Sequence, residues 1–167
     1  GTELGGKLIP DLHCFTPTYE VAPTSAEHGA RWVTDSHGIG LGCLIHEPAE
    51  FSPYLEKVVR DADFDIYFAG VNVDRFPDFL YELCHSNQDS RLYPWRYNAP
   101  GINDPVLDAY VETMRTSLNH TEKTEACWAA QAWLNNETNP WGLAYLPAYS
   151  KVCYGAHQSG LMGIVKT

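Results

Sequence analysis

The stretch FDIYFAG, residues 64–70, decides the fold. It is rich in aromatic and β-branched side chains and ends in a glycine, so it predicts a strand that turns into a loop. Upstream, the apolar run IGLGCLI, residues 39–45, predicts a second strand that ends before Pro48. Residues 8–15 alternate loosely and predict a third strand, which Pro17 should terminate.

Helices are predicted in the gaps between these strands. Ser25 is a good N-cap for a helix over residues 26–37, which two glycines then stop. Ser52, followed by a proline in the first turn, suits the start of a second helix that ends at residues 61–63. The apolar face of this second helix should comprise Tyr54, Leu55, Val58 and Val59.

The order strand, helix, strand, helix, strand predicts an α/β fold, in which helices flank a parallel or mixed sheet. In open sheets of this kind, ligands bind at the carboxyl ends of the strands. Residues 71–78 follow the last of the three strands. We therefore predict that this loop lies where a binding site would be.

The second half of the chain is predicted to be mostly helical. Residues 86–101 are an exception, because this irregular stretch is long enough to be functional and contains Tyr93, Trp95 and Tyr97. The other predicted elements are helices over residues 77–85, 105–118 (capped by Asp104) and 122–135 (capped by Thr121), and a final strand over residues 143–149.

Length and charge limit the class of protein. The 167 residues suit a single domain, and we treat residues 1–167 as one unit. The formal net charge of −10 comes from acidic residues spread along the chain, so nucleic acid is not an expected partner. No apolar stretch is long enough to cross a bilayer. Because the sequence opens without Met, we expect it to be a processed chain or a part of a longer one.

Motifs for catalysis and metal binding are missing from the sequence. Five cysteines are too far apart for a CxxC motif, and seven histidines show neither HxH nor HExxH spacing. There is no GxSxG, P-loop or GxGxxG pattern either. We therefore predict no catalytic residue, no metal site built within this domain, no cofactor and no enzymatic activity.

The strand and loop at residues 64–74 resemble the "FD…GW..D" motif of the peptide and nickel family of ABC-transporter substrate-binding proteins, known as family 5. Further landmarks fall in the order of that family between residues 8 and 150. They are the opening strand at residues 8–17, Ile39-Gly40, Glu50-Phe51, Tyr54-Leu55, Tyr97-Asn98, Pro105, Asp108, Gln131, Leu134, Glu137, Pro140 and Pro147.

The resemblance implies one lobe, the C-terminal one, of a periplasmic-binding-protein type II fold. It implies a longer parent chain with an N-terminal lobe and a lipoprotein signal, and an extracytoplasmic location, either periplasmic or membrane-anchored. The implied ligand is a peptide or similar small polar solute. The implied further partner is an ABC permease in the membrane, to which the closed pair of lobes delivers its solute.

The resemblance also implies ligand-binding residues. Asp74 matches the acidic residue that pairs with the α-ammonium group of a peptide, although a turn-capping or solvated role remains open. Val71 stands where the family has Trp, which puts the peptide specificity in question, and Asn72 beside it offers a donor and an acceptor. The other candidates are Trp95 and Tyr97 as aromatic surface and Arg96 as a partner for a carboxylate; loop packing and simple surface exposure are the alternatives for these three.

Two other classes of function remain open. One is a small hydrolase that uses carboxylates with His85 or His157. The other is an interaction module in which residues 71–101 bind a protein partner. An exposed apolar patch around Trp95 would favour the interaction module, but such a patch could also be an interface to the missing lobe.

Overall fold

The computed structural model describes residues 2–18, 25–71, 77–142 and 144–146. The strands are β1 Thr2–Leu4, β2 Lys7–Ile9, β3 Leu12–Pro17, β4 Leu44–Ala49 and β5 Ile66–Tyr67. The helices are α1 Ser25–Gly38, α2 Phe51–Leu55 with a π-helical continuation Glu56–Arg60, α3 Phe79–Cys84, α4 Pro105–Thr116 and α5 His120–Leu134, and Ser86–Gln88 form a 3-10 turn.

The main described sheet is parallel and has the strand order β4-β3-β5. Helix α1 contacts β3 and β4, and α2 contacts β3. Successive residues of a strand point to opposite faces, so Cys14 packs with Val33 of α1 while Phe15 packs with Tyr54 and Val58 of the second helix. These contacts confirm the predicted α/β class, with helices on both faces of the sheet. A separate antiparallel hairpin of β1 and β2 precedes it.

Helix α1 lies unusually close to the sheet at Gly29. A Cβ atom at this position would clash with the Cγ2 atom of Thr16 and lie 3.4 Å from Nε2 of His46. The side chains of Thr16 on β3 and His46 on β4 form a hydrogen bond, with 2.7 Å between Oγ1 and Nε2. Because Gly29 has no side chain, helix α1 can pack directly over the hydrogen-bonded pair of Thr16 and His46.

The helices of the second half form their own core. Leu107, Val111 and Met114 of α4 are buried against Ala126 and Ala130 of α5, as their helical spacing requires. The predicted N-cap Asp104 is confirmed, because its carboxylate accepts from the backbone N–H groups at positions 106 and 107. The predicted cap of α5 is wrong by two residues. Asn119, not Thr121, caps that helix.

Four strand predictions need correction. The strand predicted over residues 64–70 is limited to β5, Ile66–Tyr67. Residues 8–15 are divided between β2 and β3 at Pro10, and β3 runs on to Pro17. Residues 39–43 form the turn after α1, with Gly40 at a positive φ of 93°, so β4 starts only at Leu44 and includes Pro48. Residues 144–146 are not in a strand, and the rest of the predicted strand at 143–149 lies outside the described residues.

Candidate functional site

In open parallel sheets, ligands bind at the carboxyl edge of the strands. The chain passes from β3 to β4 on one side and then crosses to β5 on the other, so β3 is the central strand and its carboxyl end lies between those of β4 and β5. The hydroxyl group of Tyr54 donates to the carbonyl oxygen of Phe68 at 2.5 Å and fixes the end of β5. Val71 follows and is 42% exposed.

The residues predicted to surround Val71 are only partly described. Asn72 and Asp74 lie outside the described residues, so their positions remain predictions. The polar pair of Thr16 on β3 and His46 on β4 lies under α1. Burial lowers the pKa of His46, because desolvation disfavours the charged imidazolium.

The other three predicted residues lie on an aromatic loop, which we define as residues 92–97. Its apolar side chains are exposed: Leu92 by 65%, Tyr93 by 54%, Trp95 by 53% and Tyr97 by 54%. Trp95 also has a φ of 71°, a left-handed conformation that is strained for a bulky residue. Residues with a strained backbone and an exposed side chain are often found at sites that contact a ligand or partner.

The base of the aromatic loop is held by buried polar side chains. Asn98 donates through Nδ2 to the carbonyl oxygens of His85 at 3.0 Å and Ile102 at 2.8 Å. Arg91 pairs with the buried carboxylate of Asp89 at 2.8 Å and donates to the carbonyl oxygen at position 101. Hydrogen bonding to Arg91 lowers the pKa of Asp89. These contacts pre-organise the loop and leave its aromatic side chains exposed.

The aromatic loop and Val71 do not lie at the same edge. The backbone N–H of Trp95 donates to the carbonyl oxygen of Val59 at 3.3 Å, near the end of the helical segment that starts at Phe51. That segment begins just after the carboxyl end of β4 and returns antiparallel to the strands, over about 15 Å at 1.5 Å per residue. The Trp95 backbone is therefore near the amino edge, opposite Val71.

A polar hollow of about 350 Å³, which the sequence analysis missed, also lies towards the amino edge. Its polar side chains come from β3, β4, the helical continuation and the segment before β5. The signal in the sequence is the alternation of β3, which turns His13 and Phe15 to the same face. The hollow is lined by His13, Phe15, Glu47, Lys57, Ala62, Asp63, Phe64 and Asp65.

The surroundings of His85 do not resemble a hydrolase site. Its Nδ1 accepts from the backbone N–H of Asn87 at 3.0 Å, and its Nε2 lies 3.0 Å from Oε1 of Glu112. The hydroxyl group of Ser86 bonds instead to Asp108 at 2.5 Å. Both ring nitrogens are engaged and the residue is buried, so His85 offers no accessible base. His157 lies outside the described residues.

Metal-ligating side chains do not converge in the part of the chain that the structure describes. No group of three or more His, Cys, Asp or Glu residues there could hold a metal ion. Cys14, Cys43, Cys84 and Cys127 are free thiols. Burial raises the pKa of Cys14 to about 11 and that of Cys84 to about 12, so neither is a thiolate at neutral pH. Within the described ranges, no helix combines the length and apolar character needed to cross a bilayer.

The comparisons with known proteins show a similarity of fold. No protein-family model matches the sequence, and no curated protein matches it. Among solved structures, the chain is similar to NikZ from Campylobacter jejuni in complex with Ni(L-His), with a TM-score of 0.53 and 19% identity over 74% of this chain. The chain spans 24% of the length of that protein. The described α/β architecture is thus similar to one part of a larger protein that binds a small ligand.

Proposed function

We propose that the chain is one lobe of an extracytoplasmic solute-binding protein of family 5, with a type II fold, and that residues 1–167 form a single domain of a longer parent. The observation that carries this proposal is the similarity of fold to NikZ over 74% of the chain. The parallel order β4-β3-β5 supports it, because it offers a carboxyl edge at which a solute can bind. The role is binding, with no chemical step.

The proposed ligand is a peptide or similar small polar solute. Val71, Asn72 and Asp74 would contact it at the carboxyl edge, with the carboxylate of Asp74 paired to an ammonium group. Trp95, Arg96 and Tyr97 would contact a second part of the assembly or an extended ligand, because they lie on the exposed aromatic loop. NikZ binds Ni(L-His), so a small metal chelate is an alternative ligand class.

If the chain is one lobe of a solute-binding protein, two partners follow. An N-terminal lobe of the parent would supply the opposite wall of the site, and closure of the two lobes would bury the ligand. An ABC permease would then take the solute from the closed pair. We place the protein outside the cytoplasm, either free in the periplasm or anchored through an N-terminal lipid.

The experiment is a thermal-shift titration of the chain against short peptides, sugars and Ni(L-His). A ligand at about 100 times its Kd adds about 2.7 kcal/mol to stability and so raises Tm. Asp74→Asn should abolish a peptide-dependent rise. The matched control is Asp35→Asn, which removes an exposed carboxylate from a surface pair with Arg31. A rise that Asp74→Asn leaves intact would disprove the role of Asp74, and no rise with any solute would count against a site on this lobe.

A second candidate function is a protein interaction through the aromatic loop. The exposed Leu92, Tyr93, Trp95 and Tyr97 on a pre-organised base favour it. Exposed aromatic anchors dominate many interfaces between proteins. If the loop contacts the N-terminal lobe, Trp95→Ala in the full-length parent should weaken closure of the lobes, measured by small-angle scattering with and without solute, while unchanged closure would exclude this contact.

A further inference from the structure

The polar hollow near the amino edge, defined above, already holds an ammonium group. Nζ of Lys57 lies 2.9 Å from Oδ2 of Asp63 and 5.3 Å from the centre of the Phe15 ring. A cation near the face of an aromatic ring is attracted by the negative charge of that face. The hydrogen bond and charge of Asp63 raise the pKa of Lys57, with a smaller contribution from Glu47. The hollow therefore stabilises a positive charge.

Two further carboxylates face the hollow with unused acceptor capacity. Oε1 of Glu47 lies 2.5 Å from Nδ1 of His13, and Oδ2 of Asp65 accepts from the backbone N–H of His13 at 2.9 Å. The other oxygen of each carboxylate, Oε2 of Glu47 and Oδ1 of Asp65, has no hydrogen bond to a described residue. The three carboxylates outnumber Lys57 and His13 even when the imidazole is protonated.

Two aromatic side chains, Phe15 and Phe64, also line the hollow. Phe15 is 7% exposed. Phe64 packs edge-to-face on Tyr67, with 4.7 Å between the ring centres, which fixes its orientation. A volume of about 350 Å³ accommodates a small organic molecule. Aromatic walls with excess carboxylates suit a cation that also carries an alkyl chain.

We propose that this hollow binds the ammonium or guanidinium head group of a small organic cation. The head group would bridge Glu47 and Asp65, and the alkyl chain would lie against Phe15 and Phe64. Lys57 competes for the same place, so it sets the affinity. The proposed solute site lies at the opposite edge and uses other residues, so either proposal can fail without the other.

The test is a titration of the 167-residue chain with n-butylammonium and n-butylguanidinium, followed by amide shifts in NMR spectra. We expect saturable shifts at His13 and at residues 63–65. The double variant Glu47→Gln/Asp65→Asn should weaken binding about tenfold, since each carboxylate loses a charge-assisted hydrogen bond. Lys57→Met should strengthen binding about threefold, because it removes the internal competitor and frees Asp63.

Controls separate the site from general attraction to an acidic protein. Butyrate should cause no saturable shift, and Asp35→Asn should leave the cation-dependent shifts at His13 and at residues 63–65 unchanged. The proposal is overturned if neither the wild-type chain nor Lys57→Met shows saturable shifts. Equal affinity in the double carboxylate variant would overturn it as well, since binding would then not depend on Glu47 and Asp65.

Discussion

The side chain of Asn98 forms hydrogen bonds with both the carbonyl oxygen and the N–H group of Ile102. Nδ2 of Asn98 donates to the carbonyl oxygen of Ile102 at 2.8 Å, and Oδ1 accepts from its N–H at 2.9 Å. Both residues are fully buried. Because the same amide also donates to His85, one side chain joins the end of α3 to the segment that enters α4.

Asn98→Ala should therefore be strongly destabilising. It leaves the carbonyl and N–H groups of Ile102 buried without partners, and we expect the free energy of unfolding to fall by about 3 kcal/mol. Urea denaturation monitored by circular dichroism measures the loss. The matched control is Asn103→Ala in the same segment, which is exposed and should change stability by less than about 0.5 kcal/mol. Similar small losses in both variants would contradict the structural role of Asn98.

The left-handed backbone of Trp95 leads to a second prediction. Glycine has no Cβ and adopts a φ of 71° without strain, whereas alanine keeps the strain. We expect Trp95→Gly to be more stable than Trp95→Ala by about 1 kcal/mol, measured by the same denaturation experiment. The order would be reversed if the backbone at this position had an ordinary negative φ, because glycine then costs more entropy on folding.

Local signals in the sequence predicted much of the fold. Asp104 as an N-cap and the apolar spacing of α4 depend only on neighbouring residues, and both were confirmed. The residues at which the strands begin and end were harder to predict. A proline ends a strand only where a neighbouring strand needs the backbone N–H that proline lacks. Pro48 lies in β4, an edge strand of the described sheet, and Pro17 is the last residue of β3.

The candidate site was predictable only in parts. The exposed aromatic side chains follow from a long irregular stretch, and residues 71–78 follow from the end of a strand. The return of the second helix, which brings Trp95 to Val59, depends on tertiary packing. The same holds for the hollow, where His13, Glu47 and Lys57 are far apart in sequence and meet only once the strands pair in register.

The close approach of α1 to the sheet leads to a third prediction. Gly29→Ala places a Cβ atom against Cγ2 of Thr16, which is buried and bonded to His46, so it cannot move aside freely. We expect a loss of about 1–3 kcal/mol in the free energy of unfolding. Adding Thr16→Ser removes the clashing methyl group, keeps the hydroxyl, and should recover part of that loss.

Gly38→Ala is the control for this prediction in the same helix. A Cβ atom there meets nothing within 4 Å, and the substitution should be neutral or stabilise the protein by about 0.5 kcal/mol. Equal losses at positions 29 and 38 would show that the approach to Thr16 does not determine the effect, because alanine has a higher helix propensity than glycine and a Cβ atom at position 38 meets no neighbour.

The half-buried imidazole of His46 predicts how stability depends on pH. Burial lowers its pKa below the ordinary value of 6.5, so below pH 6.5 the unfolded chain binds a proton that the folded chain does not. Stability contributed by the neutral imidazole is therefore fully present above pH 6.5 and is lost as the pH falls from 6.5 through the folded pKa. His46→Gln should reduce the slope of unfolding free energy against pH in that range, by at most the equivalent of one proton. Urea denaturation at several pH values from 7.5 down to 5 measures this slope in His46→Gln and in the wild-type chain. A slope that His46→Gln leaves as steep as in the wild-type chain would mean that other groups cause the acid sensitivity.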